Sequence, residues 1–98
     1  MRSLSASTRA FRKPRVSELA PRKIRVNAIA PGHTETEGNV AAGTFEGGAG
    51  AALAGKTPLG RLGRVADIAP LAVFLASDES AWITGEVIRA AGGLVVAT

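Results

Sequence analysis

The residues best equipped for chemistry lie together in "PGHTETEG", Pro31 to Gly38, where one histidine, two threonines and two glutamates follow an apolar run. Read locally, Pro31-Gly32 is a turn signal, and the threonine hydroxyls are either solvated or offered to a polar ligand. His33 is the only histidine in the chain. Without an identifiable partner it reads as an exposed loop residue rather than a general base. Cysteine is absent, which excludes disulfides and cysteine-ligated metal and is compatible with a reducing, cytoplasmic location. A second glycine-rich stretch, "GGAGAALAG", invites comparison with a phosphate-cradling G-x-G-x-x-G loop. Counted from Gly48, its last glycine falls on Leu53, and no strand feeds into it, so it is rejected as such a loop.

These residues must be positioned by a small scaffold. The chain has 98 residues, 46% of them hydrophobic and 20% charged, which is room for one domain or part of one. Its longest strongly apolar run, Ile68 to Ala76, is about half of the ~20 residues that span a bilayer, so no membrane segment is expected. The net charge of +4 is unevenly distributed: residues 1–25 hold eight Lys and Arg against Glu18 alone, and the remainder is net acidic. A basic nucleic-acid face normally carries stacking aromatics, and this stretch offers only Phe11, so no nucleic-acid partner is expected. Residues 1–15, rich in Arg and Ser and interrupted by Pro14, read as a basic, disordered tail, although the composition also matches a targeting segment.

After the tail, "VSELAPRK" reads as a final helical turn or two, stopped by Pro21 and followed by Arg22 and Lys23 at its negative end. "IRVNAIA", Ile24 to Ala30, alternates with period 2 and is only moderately polar on its second face, as in a parallel strand covered on both sides. Glu37 to Gly63 holds most of the glycines and reads as a lid-like excursion with one short helix near Ala49 to Lys56. From Val65 the spacing of Ile68, Leu71, Ala72 and Leu75 predicts a helix apolar on most sides. Pro70 conflicts with it and predicts a later start or a kink. "ITGEVIRAAGG" predicts a second strand over Glu86 to Ala91, and Trp82 before it reads as a packing residue. Strand, helix-bearing connection and strand make a parallel βαβ crossover. Two strands alone leave both edges unpaired, so the chain reads as the last third of something larger.

"ELAPRKIRVNAIAPGHTETEG" followed by "TPLGRLGRVADIAPLAVFLASDESAWITGEVIRAAGG" resembles the C-terminal part of short-chain dehydrogenases/reductases. The nearest branch contains 3-oxoacyl-carrier-protein reductases and glucose-dehydrogenase-like enzymes. The match runs from Glu18 to Gly93, with N-x-x-x-P-G, P-L-G-R, F-L-A-S and I-T-G in order. The resemblance implies an α/β fold in which residues 16–98 are the C-terminal portion of a Rossmann-type doubly wound parallel sheet. It implies NAD or NADP as cofactor, an alcohol or carbonyl as small-molecule substrate, and homo-oligomers or pairing with related subunits. It carries a cofactor-binding role to Pro31, Gly32, Thr34 and Thr36: the Thr34 backbone would bond the carboxamide and the Thr36 hydroxyl the carboxamide or pyrophosphate. The family has an aliphatic residue at position 34, so Thr34 is a departure that still leaves the backbone contact possible.

The resemblance also marks what is lacking. The family's catalytic tyrosine and lysine lie in Y-x-x-x-K, and this chain has no tyrosine. "LSASTRA", Leu4 to Ala10, echoes that motif with Leu4 for the tyrosine and Thr8 for the lysine, three residues too close to "ELAP". No catalytic residue is therefore assigned. Two readings follow: a C-terminal fragment of an NAD(P)-dependent oxidoreductase, inactive alone, or a non-catalytic module that associates with related subunits.

Overall fold

The computed structural model describes residues 15–94. The basic segment 1–14, with "LSASTRA" inside it, lies outside the described residues, as do residues 95–98. The chain enters through α1 (Val16–Leu19), which tightens into a 3-10 turn over Ala20–Arg22 and ends at Lys23 in the left-handed region, φ 64°. Pro21 thus sits inside the closing turn rather than after it. The missing proline N–H costs little there, because the first amides of a turn have no internal acceptor.

The principal sheet is a parallel pair, β1 (Ala28–Pro31) beside β4 (Val87–Ala90), in the register Ala28↔Val87 to Pro31↔Ala90. The expected strand over Ile24 to Ala30 is therefore narrower and ends one residue later. Val26 and Asn27 still lie alongside the partner segment, but side chains carry most of those links. Asn27 Nδ2 donates to the Ile83 carbonyl at 3.1 Å, while its Oδ1 accepts from the Glu86 amide at 3.1 Å. The Val26 amide donates to Thr84 Oγ1 at 3.1 Å. Arg25 reaches further and donates to Ser80 Oγ and the Ser77 carbonyl, both at 3.0 Å. Ser80, 1% exposed, is the most deeply buried of the described side chains. Polar clamps thus align the strands where the ladder has not yet begun.

The crossover between β1 and β4 holds more structure than its glycine content suggests. A second parallel pair joins β2 (Thr34–Glu35) to β3 (Gly63–Arg64). Between them lie α2 (Glu37–Ala41) and α3 (Ala49–Lys56), the latter with the bounds its sequence predicts. Helix α4 (Val65–Ala76) follows β3 directly. Its start is held by Asp67 in the first turn, whose carboxylate accepts the Arg64 amide at 2.8 Å. This is one half of a capping box, since an arginine side chain offers no acceptor for the other. Pro70 neither delays nor ends the helix. The carbonyl whose usual donor it removes is that of Ala66, an exposed residue.

Among the described residues no apolar side chain is fully buried; the buried ones are Thr34, Thr57 and Ser80. Val73 on α4 is 69% exposed, and Trp82, expected as a packing residue, is 98% exposed and meets no packing surface among the described residues. A helix apolar on most sides finds its main contacts here only with β3 and the 3-10 turn over Asp78–Ser80. The architecture is that of a βαβ crossover from a doubly wound α/β sheet, with one face of its helix left open.

Candidate functional site

The carboxyl end of β1 turns at Pro31-Gly32 against the equivalent end of β4. The Gly32 amide donates to the Ala90 carbonyl at 3.1 Å. A Cβ on Gly32 would stand 2.8 Å from both Cα and Cβ of Ala91, so only glycine lets the turn pass this close. The next residues are pinned from three directions. The Gly63 amide donates to the His33 carbonyl at 2.8 Å, tying the turn to β3. Thr34, 7% exposed, donates its hydroxyl to the Gly32 carbonyl at 2.9 Å. Asn39 Nδ2 donates to the Thr34 carbonyl at 2.8 Å.

Thr36 has a structural duty of its own. It is the N-cap of α2, and its hydroxyl oxygen accepts the Asn39 amide at 3.1 Å. That bond uses one lone pair and leaves the hydroxyl hydrogen available as a donor. Asn39 therefore grips the loop twice, its backbone holding Thr36 and its side chain holding Thr34. The sequence signal for this was a threonine followed by an acidic residue, Thr36-Glu37, at the start of a short polar segment. Asn39 and Arg25 were not singled out by sequence reasoning, and Asn27 entered it only as the first residue of N-x-x-x-P-G.

Of the four residues assigned to the cofactor, Pro31, Thr34 and Thr36 share one wall of an open cleft of about 280 Å³, completed by Val65, Ile68 and Ala69 from α4. Gly32 does not line it. It faces a larger cavity of about 520 Å³ together with His33 and Thr34, on which Arg61, Asp67 and Arg89 also border. His33 is exposed, as its sequence suggests. Arg61 forks onto Asp67 at 2.8 and 3.0 Å. That fork, aided by the Arg64 amide, holds the Asp67 carboxyl down at about 2, below the usual carboxylate range. Among the described residues no group of three or more His, Asp or Glu side chains could hold a metal ion. No described helix is long and apolar enough to cross a membrane.

A cleft walled by aliphatic side chains and two threonines, beside a strand's carboxyl end, can cover a flat ring and hydrogen-bond an amide. It offers no proton donor of suitable acidity. Comparison with known proteins agrees with this architecture. The family model described as enoyl-(acyl carrier protein) reductase matches residues 3–95. An uncharacterized oxidoreductase of Methylorubrum extorquens is 54% identical over 78 residues, covering 80% of this chain and 32% of that protein. A 3-oxoacyl-[acyl-carrier protein] reductase from Brucella melitensis superposes with a TM-score of 0.81 at 39% identity, over 94% of this chain and 33% of the other. Another Brucella melitensis reductase of that name, solved with bound NAD, gives a TM-score of 0.71 at 38% identity, covering 94% of this chain and 32% of the other. The chain thus spans about a third of the length of the relatives it matches. By sequence and by fold, the chain belongs to the short-chain dehydrogenase/reductase family, matching the model described as enoyl-(acyl carrier protein) reductase.

Proposed function

We propose that residues 16–98 are the C-terminal part of an NAD(P)-binding Rossmann domain. Their contribution is the nicotinamide-facing loop Pro31–Thr36 of an oxidoreductase that interconverts an alcohol and a carbonyl compound. The observation that carries this reading is the convergence of Pro31, Thr34 and Thr36 on one cleft. When bound, NAD(P) supplies or accepts the hydride. The chain's own part is to hold and orient. Val65 and Ile68 give one side of the cleft an apolar lining, the Thr34 backbone offers hydrogen bonds to a carboxamide, and Thr36 has a hydroxyl hydrogen to donate. Asn39 keeps both threonines in place at no cost to that hydrogen.

What this chain does not supply shapes the rest of the proposal. Gly48 heads α3 from a left-handed turn with no strand before it, so the glycine-rich stretch is not a pyrophosphate cradle. With no tyrosine, the alkoxide that forms on carbonyl reduction has no acid of matched strength to protonate it. The 98 residues alone are therefore inactive, and activity belongs to a longer assembly. The open apolar face of α4 and the bare Trp82 favour close association with further polypeptide, either the rest of such a domain or related subunits in an oligomer.

The test joins residues 16–98 to the amino-terminal part of a related reductase and measures NADH and NADPH binding by fluorescence. Thr36→Ser keeps both the cap and the donor and should bind as the parent does. Thr36→Val removes both and should weaken binding about fivefold, the net worth of roughly one hydrogen bond. A folded chimera in which Thr36→Val binds as tightly as the parent would refute the role given to Thr36.

A further inference from the structure

We propose that the larger cavity binds a small carboxylate carrying a short apolar body, with Arg89 as its anchor. The cavity, about 520 Å³, falls within the roughly 300–1,000 Å³ typical of small-molecule sites. Three charged side chains border it: Arg61, Asp67 and Arg89. Arg61 and Asp67 already neutralise each other through two hydrogen bonds. Arg89 has no such partner among the described residues, and its Nε is buried without any hydrogen-bond acceptor. A guanidinium cannot shed its proton to escape burial, so this charge stays, and among the described residues it has no anion.

The surroundings favour a carboxylate over a phosphate. The guanidinium is a planar fork matched to two carboxylate oxygens. Much of the rest of the wall is small or aliphatic, with Ala90, Ala91, Leu59 and Leu94 among its lining residues. The Gly92-Gly93 turn stays bare of side chains by necessity. Both residues have positive φ, and a Cβ on Gly92 would stand 2.8 Å from the Thr57 Cγ2. A short alkyl chain thus finds contact where a hydrated phosphate would lose water without replacement. An oxyanion that enters gives Arg89 Nε an acceptor that the described residues do not supply. Nothing in this requires the nicotinamide reading, since of the residues lining the cleft beneath Thr36 only Thr34 also borders this cavity, and Arg89 does not line the cleft.

The test is an NMR titration of the full 98-residue chain at fixed pH and ionic strength with butyrate, acetate and inorganic phosphate. Saturable shifts of the Arg89 Nε–Hε peak and of the Gly92 and Gly93 amides are expected with butyrate, at millimolar affinity and more weakly with acetate. Arg89→Gln should abolish them, and Arg89→Lys, which keeps the charge but not the fork, should retain part of the affinity. The wild-type peaks decide the matter even where Arg89→Gln fails to fold. Non-saturable shifts, phosphate bound in preference to butyrate, or undiminished binding by a folded Arg89→Gln chain would overturn the proposal. So would collapsed Ala28 and Gly85 amide peaks in the wild type, because the cavity would then not exist in this chain. A parallel NADH titration, read at the amide of Thr36, which lines the cleft and not the cavity, reports on the cofactor loop independently.

Discussion

Replacing Asn27 by alanine tests whether side chains set the alignment of β1 and β4. Two hydrogen bonds disappear, to the Ile83 carbonyl and from the Glu86 amide, each 3.1 Å long. Neither group is stranded. The Ile83 carbonyl also accepts from Arg25 Nη1 at 3.3 Å, and Glu86 is exposed to water. The loss is therefore the net worth of two bonds with no burial penalty, about 1–2 kcal/mol, or roughly a 5- to 30-fold rise in local opening. Native-state hydrogen exchange reads this directly. The amides of Ala28, bonded to the Glu86 carbonyl, and Gly85, bonded to the Val26 carbonyl, both at 2.8 Å, should lose protection by that factor. The Ala52 amide in α3, bonded to Gly48 at 3.0 Å and remote from the clamp, should not change. Unaltered protection at Ala28 and Gly85, or an equal loss at Ala52, would refute a local clamp.

Gly32→Ala should force the turn away from Ala91 at a cost of about 1–3 kcal/mol, the usual range for overpacking, and selectively expose the Gly32–Ala90 hydrogen bond to exchange. Asp67 should titrate near 2 by carbon-detected NMR, and Arg61→Ala should bring its midpoint back toward 3.8. Because its folded value is depressed, its support for the α4 start is complete above about 4 and fades as pH falls through 2. Exchange at the Arg64 amide checks that sign. The purified 98-residue chain should oxidise neither NADH nor NADPH with ketones, aldehydes or 3-oxoacyl thioesters. Turnover that co-purifies with the chain would refute this.

Helices α3 and α4 were legible in the sequence because many intrahelical contacts are local: apolar spacing marks α4, and glycines bracket α3. Even the conflict at Pro70 is local, since the carbonyl whose donor it removes belongs to an exposed residue, Ala66. The strand pair was legible through alternation and the Gly92-Gly93 stop. Helix α2 was not, because five residues that include Gly38 have little propensity of their own and depend on the Thr36 cap. The β2–β3 pair was equally hidden, since two-residue strands are defined by a distant partner. At the candidate site, sequence placed Pro31, Thr34 and Thr36 along one loop, and the structure sets them on one cleft. It turns Gly32 to the other side, because β1 ends there and its close approach is to Ala91. Arg89 gave no signal, as an arginine in a strand is unremarkable until its neighbours are known.

The lack of buried apolar side chains among the described residues has a thermodynamic signature. Unfolding of a typical domain raises heat capacity by about 12–15 cal/mol/K per residue, chiefly because apolar surface meets water. Here much of that surface, α4 foremost, is already wet. The chain alone should melt broadly, with a small heat-capacity step and a shallow denaturant dependence. The missing heat capacity should instead appear when α4 is covered, as a negative change on association that calorimetry can measure. What a complete domain spends in folding, this chain would spend in binding.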